Sequence, residues 1–315
     1  MVFLRAAKDK DFKMDENVKT EQRTKKDWLL DILRGYTIGI AFIIPGFSGG
    51  SVAAILGIYE KLVGAISDLP RQLKKSILTL LPIGIGMVLG IVSLLFPLGW
   101  ALEEYPIPTV CLFVGLAIGG LPSVTGKLTK PRPLHFASFL IPLLLAISLS
   151  FLPIASDVDL FNLSFGGYIL LLLVGFVGSA ALVVPGISGS MLLLIFGYYN
   201  PIVNMATEHL FKGDEVGKSI LVLGCVGIGI LIGFFIISKV MKRLLTSFPV
   251  GTYYSILGFI VGSIPTVYIS TAKEAGLTLA TLPSSSLYWA SSAILLLLGI
   301  ATSLSLVIFS KRLKK

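Results

Sequence analysis

Two short stretches carry the residue types whose spacing could do chemistry: Pro45-Gly46-Phe47-Ser48-Gly49-Gly50-Ser51 and Pro185-Gly186-Ile187-Ser188-Gly189-Ser190. In each, a proline stops one helix, glycine permits a tight reversal, and a serine stands where it can cap the helix that follows. The first N–H groups of that helix have no intrahelical partner and carry the positive end of its dipole. Such an end binds phosphate or carboxylate through main-chain atoms. The expected anion-binding residues are Pro45, Gly46, Ser48, Gly49, Gly50 and Ser51, with Gly186, Ser188, Gly189 and Ser190. The competing reading is that small residues merely let helices pack closely. That reading is preferred for the glycines at four-residue spacing, Gly86/Gly90 and Gly115/Gly119.

A second chemistry is formally present. Gly46-Phe47-Ser48-Gly49-Gly50 matches the G-x-S-x-G pattern of serine hydrolases. A serine nucleophile needs a base within hydrogen-bond reach. The chain has two histidines: His135 opens an apolar segment beside Lys130 and Arg132, and His209 falls in a loop on the opposite side. An intramembrane hydrolase is therefore the weakest reading, and no catalytic residue, metal site or cofactor is assigned. Four charges flank the first motif. Arg34, suited to bidentate phosphate contact, and Lys61 are expected to gather an anion at the cytoplasmic mouth. Asp31 stands three residues from Arg34 and is equally able to pair with it. Glu60 is the candidate carrier of a coupling proton.

These residues must be positioned inside a membrane. Charged residues are 14% of the chain and mean hydropathy is +0.90, whereas soluble domains carry about 25% charge. Long apolar runs, at 28–44, 51–67, 76–98, 107–125, 134–153, 168–184, 189–206, 219–238, 251–270 and 286–309, indicate an all-α polytopic membrane protein. Cys111 and Cys225 both lie in such runs, so no disulfide framework is expected. The net charge of +9 is a topology signal and not a nucleic-acid signal. Of the 26 Lys/Arg, 23 fall in the tail 1–26, at Arg34, in the alternate loops or at the C-terminus, which places both termini in the cytoplasm. The tail reads as disordered and cytosolic.

The chain is also duplicated. At an offset of 140, Pro45–Gly49 matches Pro185–Gly189, and Gly35, Gly57 and Tyr59 match Gly175, Gly197 and Tyr199. At an offset of 143, residues 75–124 match 218–267 at 16 of 50 positions, with a shared Gly/Pro skeleton. Apolar bias alone cannot align that skeleton. The expected units are 27–154 and 155–315. Five apolar segments per unit, an odd number, make the two units inverted, the arrangement of alternating-access transporters with a site near the bilayer midplane.

The motif-bearing pairs 28–44/51–67 and 168–184/189–206 are short for full spans. Arg34 lies 14 residues before Ser48 and Lys61 lies 13 after it, about 20 Å along a helix. A motif at midplane puts both charges at the headgroups, whereas a motif at the far surface buries them in lipid at about 2.5–3.5 kcal/mol each. The expectation is two re-entrant hairpins and six spanning helices, three per unit. A secondary transporter of a small soluble anion would share these features.

Residues Ile44–Ser51 and Val184–Ser190 resemble the signature of the PopT family of bacterial polyprenyl-phosphate translocases, and the likeness runs through nearly the whole chain after the tail. The second copy has Ser190 where the first has Gly50. The resemblance implies a plasma-membrane protein that returns undecaprenyl phosphate from the outer to the inner leaflet for peptidoglycan and other envelope polymers. It implies that lipid as substrate, surrounding membrane lipids as partners, and leaves a homo-oligomer open.

Overall fold

The computed structural model describes residues 24–43, 48–152, 155–185, 189–210, 215–277 and 283–312. The described residues form helices and connecting turns, with no strand among them. In order these are α1 (Lys25–Ile43), α2 (Gly49–Ile55), α3 (Tyr59–Ser67), α4 (Leu73–Glu104), α5 (Pro106–Thr125), α6 (Pro133–Leu149), α7 (Phe165–Val183), α8 (Gly189–Ile195), α9 (Tyr199–Asn204), a π-helical turn (Met205–Leu210), α10 (Val216–Ser247), α11 (Pro249–Glu274) and α12 (Ser286–Arg312). The bounds of α7 and α8 are those of α1 and α2 shifted by 140, and those of α10 are those of α4 shifted by 143.

Local chemistry sets many of these bounds. Thr24 and Asp27 cap α1 reciprocally: Asp27 Oδ2 accepts from the Thr24 N–H at 2.9 Å, and Thr24 Oγ1 accepts from the Asp27 N–H at 3.2 Å. Proline opens α5, α6 and α11, where its missing N–H is an orphan in any case. Among the described residues, five helices are long and apolar enough to cross a membrane: Leu73–Leu94, Pro106–Thr125, Val216–Ser247, Pro249–Lys273 and Ser286–Ser305. The sixth expected span, 134–153, ends as a helix at Leu149, giving 17 residues. This falls at the short end of what crosses a bilayer.

The returning arms differ from the sequence expectation. Segment 51–67 is not one helix but two, α2 and α3, divided at Gly57. Gly57 takes a φ of 68°. The Ile58 N–H donates to Ala53 O at 3.0 Å and the Gly57 N–H to Ala54 O at 3.0 Å, a Schellman ending. Gly197 repeats the turn at φ 74°, with the Tyr198 N–H on Leu193 O at 2.8 Å.

Helices pair closely, α1 with α4, α7 with α10, α5 with α12 and α6 with α11. Glycine makes the approach possible. A Cβ at Gly35 or Gly86 would collide with main-chain atoms across the α1–α4 seam, and one at Gly175 or Gly229 across the α7–α10 seam. Gly115 and Gly258 play the same part at α5–α12 and α6–α11. The main core joins both halves, with Val52, Ala53, Val63, Ile83, Phe113, Tyr253, Ile256 and Ile260 in one cluster. A smaller core holds Leu171, Val174, Tyr198, Met205 and Val222. Large apolar side chains such as Val92, Ile141 and Leu231 face outward, as helices in lipid require. The protein is a multi-pass membrane protein.

Candidate functional site

The two motifs meet. Pro45, Gly46, Gly186 and Ser188 lie outside the described residues, but their neighbours define the junction. Proline disfavours helical backbone in the residue before it, and Val184, before Pro185, ends α7 in an extended conformation. The carbonyls of Val183 and Val184 are thereby left to find partners beyond α7. Both are answered from the first half of the chain: Ser48 Oγ donates to Val184 O at 3.4 Å, and the Tyr59 hydroxyl donates to Val183 O at 2.8 Å. Gly50 faces the same turn. A Cβ there would stand 3.2 Å from Pro185 N and 3.3 Å from Val183 O.

Ser48 holds the N-cap position of α2 with extended backbone, as expected, but its side chain makes no capping bond. The cap expectation is corrected in that respect. The α7 carbonyl is an acceptor that the sequence does not display, and it takes the hydroxyl. Gly49, Gly50 and Ser51 form the first turn of α2, and every residue of that helix is buried. The Ser51 hydroxyl is fully buried, with no hydrogen-bond partner among the described residues. A buried hydroxyl left so costs about 1–3 kcal/mol, and Ser238 and Thr271 carry buried hydroxyls in the same condition. Gly189 and Ser190 open α8 in the matching position.

At the expected mouth, Arg34 and Lys61 come together on one carboxylate. Asp31 is 1% exposed, with Arg34 Nη1 3.1 Å from Oδ1 and Lys61 Nζ 2.6 Å from Oδ2. Glu60 is held apart from this group by Lys127 Nζ at 2.7 Å and by the Tyr253 hydroxyl. Lys127 also lies over the Tyr253 ring at 5.0 Å. One helical stretch further, Asp68 takes Lys242 of α10 at 2.6 Å. Each of the four cations is about a third exposed.

Sequence reasoning named Arg34, Glu60 and Lys61 but missed Tyr59, Lys127, Lys242 and Tyr253. The match of Tyr59 to Tyr199 was the one available signal. The others come from α10, α11 and the turn after α5, and only the fold brings them to α3. The histidines are engaged elsewhere: His135 stacks on Tyr254 at 5.1 Å, and His209 meets Phe161 edge-on at 4.9 Å. Among the described residues, no group of three or more His, Cys, Asp and Glu is arranged to hold a metal.

Comparison with known proteins places the chain in a family. Residues 38–281 match the family model described as VCA0040-like, undecaprenyl phosphate translocase-like. A polyprenyl-phosphate transporter of Staphylococcus aureus is 32% identical over 88% of this chain and 95% of its own. A polyprenyl-phosphate transporter of Vibrio cholerae is 24% identical over 77% and 78%. No solved structure matches. The family match spans most of the chain and both motifs, so the protein belongs to the undecaprenyl phosphate translocase-like family.

Proposed function

We propose that the protein carries undecaprenyl phosphate from the outer to the inner leaflet of the bacterial plasma membrane, and that it is a transporter and not an enzyme. One observation carries the reading: Ser48 and Gly50 of the first motif abut Val183–Pro185 of the second. The start of α2 thus meets the end of α7, shortly before α8 begins, and two helix starts near one junction would offer main-chain N–H groups from two sides of one phosphate. Ser48, Gly49, Gly50 and Ser51 supply one side, and Gly186, Ser188, Gly189 and Ser190 the other, with Pro45 and Gly46 shaping the first turn. The glycines leave room for phosphate to approach the backbone, and Ser51 brings a free hydroxyl.

Inverted halves and re-entrant motif arms complete the reading. The exact offsets between α1 and α7, α2 and α8, and α4 and α10 support the duplication. The cross-pairing of α5 with α12 and of α6 with α11 is what a two-fold relation between halves would produce. With both termini cytoplasmic, Arg34 and Lys61 receive the headgroup at the inner face, and Glu60 carries a proton if transport is coupled to one. Loss of pH dependence in Glu60→Gln would support that coupling, and an unchanged profile would remove it.

The deciding experiment is a leaflet-resolved assay of labelled undecaprenyl phosphate in proteoliposomes. Protein-dependent movement between leaflets is expected. Transport of inorganic phosphate in its place would instead favour a carrier of small soluble anions.

A further inference from the structure

We infer that Tyr59 is a positioning residue for headgroup binding: its hydroxyl, given by the first half to the Val183 carbonyl, holds the second motif against the first and masks a carbonyl dipole beside the phosphate. The inference rests on the functional reading above.

The second motif follows the C-terminal end of α7, where the carbonyls carry the negative end of the helix dipole. A phosphate drawn to the two helix starts would meet those carbonyls at the same junction, and an uncovered carbonyl repels an anion. Val183 O and Val184 O are the two nearest the motif. Tyr59 covers the first at 2.8 Å and Ser48 the second at 3.4 Å. Tyr59 is 4% exposed and Val183 is 2% exposed, so water does not compete for the bond.

The sequence arranges this by a local device. The positive φ of Gly57 ends α2 and redirects the chain, so that Tyr59 opens α3 directly beneath the junction. Its two successors bind elsewhere, Glu60 to Tyr253 and Lys127, and Lys61 to Asp31. Three consecutive side chains thus tie the second motif, α11 and α1 to one helical turn. Tyr59 acts through the Val183 main chain and does not itself have to touch the lipid.

The test is transport of labelled undecaprenyl phosphate by the full chain in proteoliposomes, with rates measured over a range of lipid mole fraction. Absence of transport by the wild-type protein overturns the functional reading, whereas wild-type transport with unaffected Tyr59 variants overturns this inference alone. Tyr59→Phe deletes only the hydroxyl and should raise the apparent KM about tenfold, the loss expected when a phosphate faces an uncovered carbonyl. The maximal rate per folded protein should stay within about threefold. Thr266→Val removes a comparable buried bond, to Ala146 O at 2.9 Å between α11 and α6, and should leave KM unchanged. If Tyr59→Phe fails to fold, 3-fluorotyrosine and 3,5-difluorotyrosine at position 59 keep the ring and strengthen donation, and KM should fall along that series. An unchanged KM in Tyr59→Phe, a flat fluorotyrosine series, or an equal rise in Thr266→Val overturns the assignment.

Discussion

The two motif arms share a sequence and a turn, yet they sit in different surroundings. The first arm is enclosed: all of α2 is buried, its residues belong to the main core, and α3 is tied to α1, α10, α11 and the turn after α5 by Lys61–Asp31, Asp68–Lys242, Glu60–Tyr253 and Glu60–Lys127. The second arm lacks this enclosure. No residue of α9 is buried, Phe196 is exposed, and the arm lies along the segment after α6, where Asn200 donates to Asp157 at 3.2 Å and the Val158 N–H to Gly197 O at 3.0 Å. In that segment Asp159 is solvated and accepts from the Asn162 side-chain amide and the Phe161 N–H, which hold its carboxyl below the ordinary carboxylate range. Matched positions make the contrast plain. Asp31 and Arg34 correspond to Leu171 and Val174, and Glu60 to Asn200. Two stretches with matching helix bounds carry an ionic anchor in one case and a plain apolar seam in the other. Local opening is drawn from regions with few buried contacts, so the second arm is the one expected to move while the first stays fixed.

Four experiments break or sharpen that comparison. The largest effect is all-or-none. In a protein lacking Cys111 and Cys225, single cysteines at Glu104 and Asp157 should label from outside with an impermeant thiol reagent, and one at Lys130 should not. The opposite pattern would put the anchored arm at the outer face.

Next comes the anchor itself. Asp31→Leu copies the second half at one position and takes the shared carboxylate from Arg34 and Lys61. It should cost about 2–3 kcal/mol, less than the 3–5 typical of a fully buried pair because both cations partly reach solvent. The triple change Asp31→Leu/Arg34→Val/Lys61→Leu should recover at least half of the lost thermal stability in detergent. No recovery would mean that the ion group does more than anchor.

Exchange at the junction should be smaller and one-sided. Gly50→Ser adds a side chain where the Pro185 backbone already stands close, and overpacking of this kind costs about 1–3 kcal/mol. Transport should fall roughly tenfold. Ser190→Gly, the reverse change in the second motif, should be nearly silent. Equal effects would show the two motifs to be interchangeable.

The smallest effect is expected at Glu60–Lys127, where both side chains are partly exposed. Glu60→Lys should slow transport by no more than about fivefold, as befits a pair worth about 0–1 kcal/mol. The swap Glu60→Lys/Lys127→Glu should restore it in part. Failure of the swap would assign Glu60 a role that charge pairing does not cover.

Much of the framework was legible because glycine at helical spacing has few other uses inside an apolar segment. Gly35, Gly86, Gly115 and their matches could be read as seams before any helix was placed. The pairing of the motifs led to the expectation that their two helix starts lie together, whereas the contact found joins the start of α2 to the end of α7. The break of the returning arms at Gly57 and Gly197 was not, because glycine in a membrane helix more often marks packing than a positive φ. Nor was the burial of Asp31. Hydropathy puts a carboxylate at the headgroups, and only tertiary structure reveals that Arg34 and Lys61 close over it. The partners of α3 were hidden for the same reason: Lys127, Lys242 and Tyr253 are 67 to 193 residues away along the chain. Ser48 was read by its local preference for capping, which lost to an acceptor on a different helix.

The pairing of α5 with α12 has a consequence for how the protein is made. α5 is the most enclosed of the five long apolar helices, and the surface that receives Gly115 and Gly119 is supplied by Leu296 and Ile300 of the last helix. About 160 residues separate Thr125 from Ser286, which at ordinary synthesis speeds is roughly 8–30 s on the ribosome. Throughout that interval α5 is in the bilayer without its mate, and its two bare glycine notches are open to any neighbouring helix. Insertion machinery must shelter α5 for that time, and a chain truncated before α12 should be degraded as an orphan and not accumulate as a smaller translocase.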